Sequence, residues 1–134
     1  EHSIEVHLPF LQMVLDHFGL VPLVVGAASP AEVAEVLALL WGGPETLIVA
    51  SSDLSHYHDY ATAQRLDQAT SAAIEALRDN DIRDEDACGR IPVCGLLRVA
   101  RRLGLHAHVV DLRNSGDTAG PRDQVVGYGA FAIN

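Results

Sequence analysis

Leu47-Ile48-Val49-Ala50 is an apolar run that breaks without transition into Ser51-Ser52-Asp53-Leu54-Ser55-His56-Tyr57-His58-Asp59. A run this short and apolar suits a strand buried on both faces, which in turn requires sheet neighbours and covering helices. The polar residues that follow fall at the carboxyl end of that strand, where open α/β sheets gather their ligand-binding side chains. One stretch therefore constrains both the fold class and the place of a candidate site.

Helix and strand signals alternate around it. Pro9 is tolerated only in a first helical turn, so the sequence predicts a helix over 8–18, stopped by Gly19, with Leu8, Leu11, Leu15 and Phe18 on one stripe. Residues 20–26 read as a strand whose start Pro22 confines to an edge. Ser29-Pro30 is an N-cap followed by Pro at the first helical position, opening a helix to about Leu40 that Gly42-Gly43-Pro44 breaks. A long helix is predicted over 60–77, with Ala61, Leu66, Ala69, Ala73 and Leu77 in register. The acidic stretch 79–86 reads as a solvated connection. A helix over 92–103 ending at Gly104, a strand over 105–112, a Gly/Pro/Asp loop over 114–123 and a strand over 125–133 complete the chain. The alternation predicts one α/β domain over 1–134, with a largely parallel or mixed sheet flanked by helices.

Composition narrows the function. A formal charge of −9 disfavours nucleic acid and anionic membrane surfaces as partners, because both demand a basic face. The chain has no lysine, which removes Schiff-base and P-loop chemistry. Cys88 and Cys94 follow no disulfide framework, so the expected compartment is the cytoplasm. No apolar run approaches the ~18 residues of a membrane span. The chain opens on Glu1-His2-Ser3 in patterned sequence, with Met13 as its one methionine, and is therefore expected to be part of a longer protein.

Asp53-x-x-His56 at a strand end can bring a carboxylate to an imidazole, fixing its tautomer and raising its basicity for general-base or metal-ligand work. The same spacing also suits an Asx turn in which Asp53 caps the following helix and His56 is a surface residue. Cys88 precedes Gly89-Arg90 at a helix start, where dipole and guanidinium favour thiolate as ligand or nucleophile; its alternative is a small buried thiol. Cys94 falls within an apolar helix and reads as core, and His58 reads as solvent-facing. His2 and Glu5 form a further candidate pair. Ser51 or Ser52 with His56 and Asp53 invites a hydrolase reading, without the G-x-S-x-G elbow that would support it.

Four blocks occur in order: Glu1-His2-Ser3-Ile4-Glu5-Val6-His7-Leu8-Pro9-Phe10, Ser51-Ser52-Asp53-Leu54-Ser55-His56-Tyr57, Cys88-Gly89-Arg90-Ile91-Pro92-Val93 and Asn114-Ser115-Gly116-Asp117-Thr118. With the closing Val126-Gly127-Tyr128-Gly129-Ala130-Phe131-Ala132, the chain resembles the carboxy-terminal half of the Memo family, called AmmeMemoRadiSam system protein B in prokaryotes. Memo proteins are similar to class III extradiol (LigB-like) dioxygenases, in which a non-haem metal activates oxygen and a catechol. The resemblance implies a LigB/Memo-like fold, incomplete in this chain. It also implies a pocket that takes histidines from the amino-terminal half, with Asp53, His56 and Cys88 contributed here and His2 at its lining. A cysteine among the donors suits iron or copper better than calcium or magnesium. The implied roles are Cys88 and His56 as metal ligands and Asp53, His56 and His2 as catalytic groups in redox, dioxygenase-like chemistry. The alternative is a non-catalytic module capturing a peptide or small molecule in the same pocket. Expected partners are that ligand and either a second copy or the absent amino-terminal half.

Overall fold

The structure, a computed structural model, describes residues 2–134; Glu1, which opens the first block, lies outside them. Among the described residues the α-helices are α1 (Leu8–Val14), α2 (Pro30–Leu40), α3 (Tyr60–Glu75) and α4 (Arg90–Leu103), and the strands are β1 (His56–His58), β2 (Ala107–Asn114) and β3 (Val125–Ile133). The strands form one sheet in the order β1-β3-β2. Both pairings are antiparallel, with β2 and β3 in register from Ala107 opposite Ile133 to Asn114 opposite Gly127. Register shifts between Val109 and Asp111, where the Val109 N–H leaves the ladder and donates to Glu75 Oε1 of α3 at 3.0 Å.

The fold is thus mixed α/β, but the sheet is antiparallel rather than largely parallel. The correction lies in residues 20–26 and 47–50, which enter no strand ladder. Leu47 and Val49 are exposed while Ile48 packs on the core, so this run is covered on one side only. Val21 and Val24 are exposed as well. An apolar run whose backbone finds no neighbouring strand among the described residues forms no ladder, whatever its β propensity.

Helix boundaries follow their caps. Ser29 closes a full capping box on Glu32 at the start of α2. Asp59 accepts from the Thr62 N–H at the start of α3, and Gly104 ends α4 in the left-handed region at φ 70°. α1 stops at Val14 instead of Phe18, and none of its residues is buried. Without a surface to cover, its apolar stripe does not sustain the extra turn.

Two apolar clusters carry the core. Ala73, Ile74, Ile82, Ala87, Cys94 and Leu97 join α3 to α4, while Val33, Ala34, Leu37 and Val99 join α2 to α4. Gly95 permits the second contact, because a Cβ there would stand 2.5 Å from Val33 Cγ1. The buried face of α3 is Ala63, Asp67, Thr70, Ser71, Ala73 and Ile74, rotated from the expected stripe, of which only Ala73 is buried. A rule that follows apolar residues alone misplaces a face whose buried positions are half polar.

The connection 79–86 also departs from expectation. The Asp79 side chain is 1% exposed and accepts from Arg98 Nε at 2.5 Å and from Arg101 Nη1 at 2.9 Å. Burial on its own would raise the Asp79 pKa, but the hydrogen bonds and charges of the two arginines outweigh it and hold the carboxyl below the ordinary value. Replacing both arginines by alanine strands a buried charge and is expected to cost about 3–5 kcal/mol in urea unfolding. Arg101→Ala alone costs less, since that side chain is 56% exposed and Arg98 remains. A carboxyl whose folded pKa is depressed stabilises above its unfolded value and loses that contribution as pH falls through the folded value. The stability gap between wild type and the double variant is therefore expected to narrow below about pH 4.

Candidate functional site

The site is built where the 51–53 turn meets the start of α4. Cys88 and Asp53 hold each other reciprocally: the Cys88 N–H donates to the Asp53 carbonyl at 3.3 Å, and the Asp53 N–H donates to Cys88 Sγ at 3.2 Å. The Gly89 N–H donates to Ser52 Oγ at 2.8 Å, and that hydroxyl donates to the Asp53 carbonyl at 2.6 Å. This approach requires glycine, because a Cβ on Gly89 would stand 2.5 Å from the Ser51 carbonyl oxygen and 2.7 Å from Ser52 Cβ. Two segments 35 residues apart are thereby clamped by one backbone–backbone bond and by backbone N–H bonds to the Cys88 sulfur and the Ser52 hydroxyl.

The following residues turn His56 back toward that clamp. Leu54 N–H donates to the Gly127 carbonyl and Gly127 N–H to the Ser55 carbonyl, each at 2.8 Å, seating 54–55 beside β3. Tyr57, next in line, has φ 62°, a left-handed conformation costly for a bulky residue, and the β1–β3 register breaks between His56 and His58. His56 Nε2 lies 3.7 Å from Asp53 Oδ2. One ligand atom each from Asp53, His56 and Cys88 lies within 4.8 Å of the other two. Donors bound ~2.0–2.3 Å from a shared tetrahedral metal sit roughly 3.5 Å apart, so a trio within 4.8 Å would have to draw together to hold one ion. Thiolate, imidazole and carboxylate together form a borderline-soft donor set, matched to copper, iron or zinc. The trio is open to solvent: the His56 and Asp53 side chains are 31% and 48% exposed, and Cys88 is exposed.

His2 lies ahead of α1, with Nδ1 3.5 Å from Glu5 Oε1 and its side chain 89% exposed. Two residues of that first block meet Ser51: His7 Nε2 hydrogen-bonds Ser51 Oγ at 2.9 Å, and the Ser51 hydroxyl donates to the Ser3 carbonyl at 3.4 Å. Sequence reading passed over His7 because nothing local distinguishes it from His2. His58 is half-buried in β1 rather than solvent-facing. The hydroxyls of Ser51 and Ser52 are engaged by His7 and by the Gly89 and Asp53 backbone, so neither is arrayed with His56 as a hydrolytic nucleophile. Beside the clamp runs an apolar groove of about 440 Å³ that includes Trp41, Ile48, Leu97 and Phe131. Ser52 and Ala87 also line it, and each immediately precedes a member of the trio.

Fold and site together define a mixed α/β protein with a solvent-open Asp/His/Cys cluster between a strand-end turn and a helix start. Residues 1–132 match the family of Memo-like proteins, and the chain belongs to that family. It is 37% identical over 145 residues to a MEMO1 family protein of Saccharolobus solfataricus, covering 96% of this chain and 50% of the relative. It is 41% identical over 143 residues to one of Thermotoga sp. strain RQ2, covering 96% and 49%, and 35% identical over 149 residues to one of Methanosarcina mazei, covering 99% and 55%. The chain spans about half the length of these curated relatives.

The two cysteines differ sharply in environment. Cys94 is fully buried, donates to the Asp79 carbonyl at 3.4 Å, and burial pushes its thiol pKa up. Iodoacetamide is expected to label Cys88 alone in the native protein and both cysteines in urea, with Cys88→Ser abolishing native labelling; mass spectrometry of the intact chain reads the count.

Proposed function

We propose that Asp53, His56 and Cys88 hold a single iron or copper ion, and that the Memo-like protein to which this chain belongs carries out redox chemistry there. The observation that carries this reading is the convergence of three chemically different donors, within 4.8 Å of one another, from two segments whose Asp53 and Cys88 N–H groups each bond to the other residue, one to sulfur and one to carbonyl. Cys88 and His56 would be the principal ligands, and Cys88 is pre-aimed by the Asp53 N–H. Asp53, 3.7 Å from the imidazole, would orient His56 and take up or return a proton on the open side. The bound metal would supply one-electron chemistry with oxygen. An apolar or aromatic substrate is the class that suits the groove, because Trp41, Ile48, Leu97 and Phe131 would bury its ring while Ser52 and Ala87 lead it to the trio. Extradiol-type oxygenation is the specific form of this proposal.

A second reading rests on the same groove: it captures a small molecule or peptide without turnover. Elemental analysis of protein purified without oxygen and given iron(II) or copper(I) separates the two. The expected result is one ion per chain, lost in Cys88→Ala and strongly reduced in His56→Ala. Metal retained by Cys88→Ala, or absent from folded wild type, would overturn the metal reading. Saturable ligand binding that ignores both chelators and Cys88→Ala would then favour capture alone.

A further inference from the structure

We infer that Asp67, on α3, is a positioning residue that sets the Asp53–His56–Cys88 trio through the backbone of Ser55. The inference rests on reading that trio as the functional site. Asp67 is 3% exposed, and its Oδ1 accepts from the Ser55 N–H at 3.0 Å. None of the described ion pairs includes it. Burying a polar side chain costs folding free energy unless hydrogen bonds recover it, and the Ser55 N–H is the partner that Asp67 finds.

What Asp67 does structurally is local and specific. Ser55 lies between Asp53 and His56, and its backbone is held on both sides: its carbonyl by the Gly127 N–H of β3, its N–H by Asp67 of α3. The ladder does not satisfy that N–H, so the carboxylate replaces a strand partner at the point where the sequence leaves the sheet for the site. Gly127 closes the arrangement from the far side. A Cβ on Gly127 would overlap Asp67 Oδ2, so glycine is what lets the carboxylate lie flat against β3. Ser55 and its backbone are fully buried, leaving this short segment little freedom to move without moving its neighbours. Loss of the Asp67 bond would leave 54–55 held by Gly127 alone, loosening the peptide that leads to His56 and the Asp53 N–H that points at Cys88 Sγ. Groups that hold ligands in place commonly govern affinity ~10–100-fold.

The test compares Asp67→Ala, which removes the acceptor, with Asp67→Asn, which keeps an oxygen at the same reach. Two readouts are taken on the full chain: affinity for copper(I) by competition with a chromophoric chelator, and the rate of Cys88 alkylation by iodoacetamide in metal-free protein. Asp67→Ala is expected to weaken copper binding ~10-fold or more and to change the alkylation rate, while Asp67→Asn stays near wild type in both. Should Asp67→Ala fail to fold, Asp67→Ser, too short to reach Ser55, takes its place. Unchanged affinity and alkylation in a folded acceptor-less variant would overturn the inference, as would Asp67→Asn failing as badly as alanine. If wild type binds no copper yet alkylation still separates Ala from Asn, the metal reading falls and the positioning role stands.

Discussion

Everything at the site depends on the reciprocal pair of bonds between Asp53 and Cys88. Each residue donates its backbone N–H to the other, one to a carbonyl and one to a sulfur, while Gly89 lies so close to Ser51 that no side chain fits between them. The clamp joins the turn after the apolar run 47–50 to the start of α4, a helix that packs on both core clusters. Because α4 is fixed by the core, the cysteine is fixed with it, and the turn takes its shape from the helix rather than from its own sequence. Contact this close couples the position of the turn to that of the helix start.

A second constraint is that much of the buried chemistry is polar. Asp67, Thr70 and Ser71 occupy the inner face of α3, and Asp79 sits beneath Arg98 and Arg101. Each buried acid costs solvation that only specific partners recover, so these groups discriminate among arrangements that apolar packing would leave nearly equivalent. Asp79 fixes the 3-10 turn at 79–81 against α4, and Asp67 fixes the strand end that carries His56. Both act on the two segments that meet at the clamp.

The expected bounds of α2, α3, α4 and β3 lie close to the observed ones, and Ser29-Pro30 and Gly104 mark two of them in the sequence; the Asp59 cap of α3 was not among the signals read. The Asp53, His56 and Cys88 grouping came from family resemblance more than from local chemistry, and the geometry brings these three together. What stayed illegible was non-local. Whether 20–26 and 47–50 pair depends on neighbours that periodicity does not reveal, and both runs lie unpaired here. The Asp79 carboxylate looked like one more charge in an acidic loop, since its arginine partners lie 19 and 22 residues away. The contact of His7 with Ser51, 44 residues on, was equally invisible to local pattern.

The central claim is that Asp53, His56 and Cys88 act as one metal-binding unit. X-ray absorption at the metal edge of copper- or iron-loaded protein addresses it most directly, because sulfur scatters distinguishably from nitrogen and oxygen. The account requires one sulfur among the nearest neighbours, accompanied by nitrogen or oxygen donors and replaced by a light atom in Cys88→Ser. A metal surrounded only by nitrogen and oxygen in the wild-type chain, unchanged by Cys88→Ser, would contradict it.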